Sequence, residues 1–199
     1  MKLQEILIEE KTKEIQSLIN SSKGKMPGGT VQLFALNPKN KNERELKKQA
    51  NPDKGENKPN DFICWTSTAE PVGKKFTSAW VEWCKAEQPN WIGKNGSLYG
   101  ISLDIISLEL NNDRDVLNVW NAYCEPDKKF DIKTYRKDIQ NYIKLVRDFP
   151  WDKIAKDFDC VYCKERPSLD NHFMYGWDIE SSVFFKSDKL KFLKNVEIA

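Results

Sequence analysis

Three strand-like segments lie close together at the end of the chain: DFDCVYC at residues 157–163, ESSVFF at 180–185 and DKLKFLKNVEI at 188–198. They are rich in the β-branched and aromatic residues that favour strands. Earlier apolar runs of strand length occupy residues 30–36, 62–68 and 97–110. Because helical segments separate these runs only irregularly, the sequence predicts an α+β fold. We expect a split, curved β-sheet core with peripheral helices, not a doubly wound parallel sheet.

The peripheral helices are predicted from the spacing of apolar side chains. Residues 2–20 form an amphipathic pattern that ends at the turn 20–24, and residues 76–85 carry aromatic groups on one side. A third helix is expected after a cap at Asn112-Asp113 or a neighbouring residue. Residues 131–148 predict a fourth, with a basic outer face.

The domain organisation follows from length and composition. The 199 residues suit one domain over 1–199, with an N-terminal helix in 1–24 and a main body in 62–199. Residues 37–60 hold three prolines, a surplus of Lys and almost no large apolar groups. This segment is predicted to be a solvated, charged loop excursion.

Charge and cysteine content exclude several classes of protein. Lys+Arg 32 against Asp+Glu 30 leave a net charge of +2, too small to indicate nucleic-acid binding except through a local patch. The sequence has no apolar run long enough to span a membrane and no signal-peptide core. Five scattered cysteines favour reduced, buried thiols over a disulfide framework. We therefore expect a cytoplasmic protein that does not associate with membranes.

A metal site is not expected. Cys160 and Cys163 have a ligand-like spacing and His172 follows, but a structural zinc site needs a second pair. In a strand, the two thiols would also point to opposite faces. Nothing near them in sequence would activate a thiolate for nucleophilic catalysis.

The most informative constellation has three parts: Trp65-Thr66-Ser67-Thr68 at the end of a strand, the aromatic helix 76–85, and the approach Tyr175-Gly176-Trp177 to Asp178-Ile179-Glu180. Asp178 and Glu180 lead into the apolar run at 181–185. Period-two alternation along this predicted strand places the two carboxylates on one face. Two carboxylates are costly to bury without partners. Either that face lines a wet cleft, or the strand lies at the edge of the sheet.

These motifs resemble the ADP-ribosyltransferase toxin fold, in which a strand ends in Ser-Thr-Ser-like hydroxyls and a late strand begins with Glu-x-Glu or Gln-x-Glu. The matches are Thr66-Ser67-Thr68 and Asp178-Ile179-Glu180, and the likeness extends loosely over 30–38, 62–85 and 98–198. Gln32 stands in the first strand, where many such toxins have an arginine against NAD phosphate. Asp178 stands where Glu or Gln is usual.

The resemblance implies a site that uses NAD as substrate and no metal. Glu180 would be the catalytic carboxylate that stabilises an oxocarbenium-like ribose, and Asp178 would orient the attacking acceptor. Ser67 would hold Glu180 in place. The implied cofactor-binding residues are Trp65, Thr66, Ser67, Thr68, Phe76, Trp80 and Gln32, with the aromatic ones as a flat wall against nicotinamide.

The resemblance also implies a macromolecular acceptor, protein or nucleic acid, and the role of a toxin or phage-conflict effector with a neutralising antitoxin. The Lys-rich 37–60 loop and the basic face of 131–148 motivate the nucleic-acid version. The alternative class is a non-enzymatic phage- or plasmid-encoded inhibitor that binds through an aromatic-rich surface, since Trp is a favoured interface anchor.

Overall fold

The computed structural model describes residues 3–35, 46, 48–50, 58–124, 149–165, 177 and 179–199. Its α-helices are α1 (Leu3–Ser22), α2 (Ala79–Glu87), α3 (Asp113–Tyr123) and α4 (Trp151–Asp157). Its strands are β1 (Val31–Ala35), β2 (Gln49–Ala50), β3 (Asp61–Phe62), β4 (Cys64–Thr68), β5 (Glu70–Val72), β6 (Lys75–Thr77), β7 (Asn95–Ile101), β8 (Ser107–Glu109), β9 (Cys160–Cys163), β10 (Ser181–Phe184) and β11 (Leu190–Glu197).

A seven-stranded mixed sheet forms the centre of the fold, in the order β11-β7-β1-β4-β10-β9-β8. Five of its six pairings are antiparallel, and only β8 and β9 run parallel. A doubly wound sheet is parallel and carries a helix at every crossover. The α+β class predicted from the sequence is therefore confirmed.

The two faces of this sheet differ in what covers them. We call one the helix face, because Leu33, Trp65, Val161 and Val183 on it pack with residues of α2 or α3. We call the other the loop face. Its apolar part, including Phe34 and Phe184, packs with side chains from connecting segments, and its polar part holds the candidate site. In the register of the sheet, Gln32 lies opposite Thr68, and Ser182 lies opposite both Thr66 and Tyr162. Because paired residues point to the same side of a sheet, all five share the loop face.

Side-chain caps fix where α2 and α3 begin. Asn112 accepts a hydrogen bond from the backbone N–H of Asp115, as its sequence position predicts. Ser78 accepts from the N–H of Val81 at 3.3 Å and starts α2 there. Phe76 therefore lies in β6, before the helix, and its placement in a helix over 76–85 was wrong. The extended backbone of Ser78 separates the two elements.

The structure tests the other predicted elements unevenly. The sequence did not predict α4, a seven-residue helix whose buried residues Trp151 and Ile154 join the core of the helix face. The helix predicted over 131–148 and most of the loop over 37–60 lie outside the described residues. None of the five cysteines forms a disulfide, and burial raises the pKa of Cys160 and of Cys163 to about 12. These thiols are buried and unreactive, as expected.

Among the described residues, no helix combines the length and the apolar character needed to cross a membrane.

Candidate functional site

The carboxylate of Glu180 is held by one residue of the neighbouring strand, Thr68. The backbone N–H of Thr68 donates to Oε2 at 3.0 Å, and the Thr68 hydroxyl donates to Oε1 at 2.8 Å. The backbone N–H also lies 3.3 Å from Oε1, so these two donors fix both the position and the rotation of the carboxylate, and Oε2 keeps a lone pair for a further donor. Both side chains are half-buried, so the pair borders solvent.

Glu180 occupies this place because the chain on either side of it is anchored in the core. Trp177 is fully buried on the helix face, where its ring lies 4.5 Å from that of Trp65 and stacks on Trp151 at 6.1 Å. Directly after Glu180, β10 begins at Ser181 and pairs with β4 and β9. A carboxylate between a buried tryptophan and a central strand has little freedom to move.

Gln32 connects the site to the turn that precedes β1. Its side-chain N–H donates to the carbonyl of Pro27 at 2.9 Å, and its Oε1 accepts from the hydroxyl of Thr66 at 2.7 Å. Gln32 is 0% exposed, so its side chain does not reach a ligand at the surface, while the buried Thr66 adjoins the cavity that Trp65 and Trp80 line. Both were predicted to bind the cofactor directly. The structure instead gives them a bracing role beneath Thr68.

The turn at Gly28 closes over the carboxylate. A Cβ atom at position 28 would lie 2.7 Å from Glu180 Oε1 and 3.0 Å from the Tyr162 hydroxyl, and closer still to the hydroxyl of Thr68. Gly28 also has a φ of +66°, in the left-handed region that favours glycine. The turn therefore packs so closely against these three oxygen atoms that no side chain fits at position 28.

The electrostatics of the site depend on burial and on neighbouring acids. Burial is the main cause that raises the pKa of Glu180, and the charge of Glu70 adds to it, while the hydrogen bonds from Thr68 act in the opposite direction. Burial, followed by the charges of Glu180 and Glu109, raises the pKa of Tyr162 to about 12. The Tyr162 phenol is therefore protonated at neutral pH and available as a donor beside the carboxylate.

No cation neutralises Glu180 within the part of the chain that the structure describes, since none of the ion pairs there involves it. Its negative charge is free to act on a ligand. Such a group can stabilise a positive charge that develops in a reaction, or can accept a proton. The described residues include no group of three or more His, Cys, Asp or Glu that could hold a metal ion.

Ser67 lies on the helix face and does not hold Glu180, contrary to the sequence-based prediction. Its hydroxyl donates to Ser78 Oγ at 2.7 Å and accepts from the N–H of Trp80 at 3.4 Å. Successive residues of a strand point to opposite faces, so Ser67 and Thr68 cannot both serve one carboxylate. Ser67 instead joins β4 to the start of α2.

The aromatic residues expected to form the nicotinamide wall also belong to the helix face. Trp65 and Trp80 line a cavity of about 320 Å³ together with Leu33, Ala35, Phe62 and Lys58, which we call the aromatic cavity. Phe76 packs nearby with Leu33, Val81 and Leu98. The sequence thus predicted one site where the structure has two, separated by the thickness of the sheet.

Two further outcomes concern the list of site residues. Asp178, predicted to orient the acceptor, lies outside the described residues. Gly28 and Tyr162 were not predicted as site residues. The Pro27-Gly28-Gly29 turn is visible in the sequence, but what it covers depends on which strands become neighbours. The position of Tyr162 beside Glu180 follows from the pairing of β9 with β10.

Comparison of the chain with protein-family models, with curated proteins and with solved structures finds no match.

Proposed function

We propose that this protein is an ADP-ribosyltransferase that uses NAD as substrate and Glu180 as its catalytic carboxylate. The observation that carries the proposal is the arrangement of three segments far apart in sequence. The strand with Gln32, the strand with Thr66-Ser67-Thr68 and the strand that Glu180 precedes are direct neighbours, in the order β1-β4-β10. The resemblance to ADP-ribosyltransferases rests on the motifs of the second and third segments and extends only loosely to the first, where Gln32 replaces the usual arginine.

The chemistry suits an uncompensated, half-buried carboxylate. The bond from ribose to nicotinamide breaks with its electron pair on the leaving ring nitrogen, so positive charge develops on the ribose. An acceptor atom then bonds to the ribose carbon and gives up its proton. A fixed negative charge beside the ribose stabilises the oxocarbenium-like transition state more than the ground state. Glu180 is positioned by Thr68 before substrate arrives, so little reorganisation is needed.

In this proposal the ribose approaches Glu180 and Thr68 from the solvent side, because both side chains are only half-buried. The turn at Gly28 packs against the same carboxylate and forms one border of the site. The protonated Tyr162 hydroxyl would donate a hydrogen bond to a ribose oxygen or to Glu180 itself. In this proposal Thr68 and Glu180 contact the substrate, and Gln32 and Thr66 support them from beneath.

The test is NAD consumption and acceptor labelling by Glu180→Gln beside the wild-type protein. This change keeps size and one accepting oxygen but removes the charge, so turnover should fall by a factor on the order of 100 or more. Glu197→Gln, a neutralisation on the exposed edge strand β11, is the matched control and should retain activity. Full activity in a folded Glu180→Gln protein would overturn the assignment.

The acceptor class is part of the same proposal and can be decided directly. Labelled NAD offered with a cell lysate marks the acceptor, and separate digestion by protease and by nuclease then identifies it. Label that disappears with protease and survives nuclease indicates a protein acceptor. The reverse result indicates nucleic acid, the version that the Lys-rich 37–60 segment and the basic 131–148 segment motivate.

A specific observation favours the second candidate, a non-enzymatic binding protein. Trp80, Trp83 and Trp91 form a cluster with ring separations of 5.2 to 6.4 Å, and Trp91 is 53% exposed. Exposed tryptophans are frequent anchors of protein interfaces. A thermal-shift titration separates the two candidates, because a bound ligand raises the melting midpoint. No shift at millimolar NAD, with tight binding to a macromolecule, would favour the binding protein.

A further inference from the structure

The aromatic cavity has the size and walls of a small-molecule site. Its volume of about 320 Å³ lies at the lower end of the range for ligand pockets. Phe62, Trp65 and Trp80 supply three aromatic walls, while Leu33 and Ala35 supply aliphatic surface. All three aromatic residues are half-buried, so part of each side chain remains accessible.

The side chains of Trp65 and Trp80 each pack against another tryptophan. Trp65 contacts the fully buried Trp177 at a ring separation of 4.5 Å. Trp80 stacks on Trp83 at 5.2 Å with an angle of 24° between the rings, and its backbone N–H bonds to Ser67. Walls that keep their positions without a ligand lose little conformational entropy on binding, which favours a flat ring between them.

A single charged residue lines the cavity among the residues described. Lys58 is half-buried there, and no ion pair of the described chain includes it. A lysine at an apolar cavity attracts an anion more strongly than one in open solvent, because low-dielectric walls focus its field. The chemistry of the lining thus combines flat apolar surface with one positive charge.

We propose that the aromatic cavity binds a flat aromatic compound of one or two rings that carries one carboxylate or similar anionic group. The ring lies between Trp65 and Trp80, and the anion pairs with Lys58. This site is independent of Glu180, which lies on the opposite face of the sheet. The proposal therefore holds or fails separately from the transferase activity.

The experiment is calorimetric titration of the full chain with naphthalene-1-acetate and with naphthalene-1-acetamide, which share shape and differ in charge. We expect the carboxylate to bind about three-fold more tightly or better, the range of a partly exposed ion pair. Lys58→Met should remove this preference and leave the affinity for the amide unchanged. Lys74→Met, at an exposed hairpin position, should change neither affinity.

A second variant tests whether the ligand lies against Trp80. Trp80→Ala removes one wall and should weaken both compounds by about ten-fold or more, since it removes an aromatic surface on which the ring stacks. Melting curves establish that each variant is folded. The proposal is overturned by any of three results: no binding at millimolar concentration, equal affinity of wild type for acid and amide, or undiminished binding by folded Trp80→Ala.

Discussion

Thr68 donates both its backbone N–H and its hydroxyl to the carboxylate of Glu180, at 3.0 and 2.8 Å. The two residues are 112 positions apart in the chain, and they meet because β10 pairs with β4. Hydrogen bonds to an ionised group are roughly twice as strong as those between neutral groups. The contact therefore sets the orientation of the acid and limits how far burial can raise its pKa.

The contribution of Thr68 can be separated from that of Ser67. Thr68→Val keeps the shape and the backbone donor but removes the hydroxyl, so Glu180 should lose part of its orientation. We expect about 1.5 kcal/mol lower stability and about a ten-fold lower rate of NAD cleavage. Urea unfolding and steady-state kinetics measure the two effects.

Ser67→Ala is the matched variant on the opposite face of the same strand. It removes the bond to Ser78 at the start of α2, so stability should fall by about 1 kcal/mol while the cleavage rate stays near that of wild type. A greater loss of activity in Ser67→Ala than in Thr68→Val would contradict the assignment of Thr68 as the residue that orients Glu180.

Gly28→Ala tests the close approach of the turn to the carboxylate. The new Cβ would overlap Thr68 and approach Glu180 within 2.7 Å, in addition to the strain of a φ of +66°. We expect a stability loss of about 2 kcal/mol or more and a large loss of NAD cleavage.

Gly73→Ala provides the control for backbone strain alone. Gly73 has a φ of +61° in a hairpin, and a Cβ there would meet no atom within 4 Å. The free energy of unfolding of Gly73→Ala should fall by about 1 kcal/mol, with activity unchanged. Urea unfolding measures the stability of both alanine variants. Equal losses of stability would show that a Cβ at position 28 causes no steric clash with Thr68 or Glu180.

Glu180 should lower the stability of the native protein at neutral pH. Its pKa is higher in the folded state than its ordinary value of 4.5, so the folded state binds this proton more tightly. Stability from this group is therefore greatest at low pH and decreases as the pH rises from the unfolded pKa through the folded one. Glu180→Gln does not titrate, so this pH-dependent loss of stability should be absent from the variant.

Denaturant unfolding of wild type and Glu180→Gln across a pH series tests this sign. The difference in free energy of unfolding should grow in favour of the variant as the pH rises through the window and then level off. A difference that grows in the opposite direction would mean that the folded-state pKa is lowered, and that an unseen favourable partner stabilises the carboxylate.

The pH dependence of activity should report the same group. If NAD cleavage needs ionised Glu180, kcat/KM should fall as the pH drops through the raised pKa, at a higher pH than an ordinary glutamate would give. Glu70→Gln removes a neighbouring negative charge that raises this pKa, so it should shift the acid limb to lower pH. An acid limb that moves to higher pH in Glu70→Gln would contradict Glu180 as its source.

Much of the fold could be predicted from the pattern of side chains. The strands at β1, β4, β9 and β10 and the cap at Asn112 lie where β-formers and capping residues stand in the sequence. Local chemistry fixes such features because each depends on a few adjacent residues. The short helix α4 was missed, since its seven residues offer too few turns for a periodic pattern.

The sequence by itself determined the α+β class and the mostly buried thiols, because alternation and composition are local properties. Only the tertiary structure decided which residues share a site. Ser67 and Thr68 are neighbours in the chain, yet the strand turns one toward α2 and the other toward Glu180. Gly28 and Tyr162 reach the carboxylate from distant segments. The order of strands sets such contacts, and that order depends on how the whole chain buries its apolar surface, which no short segment encodes.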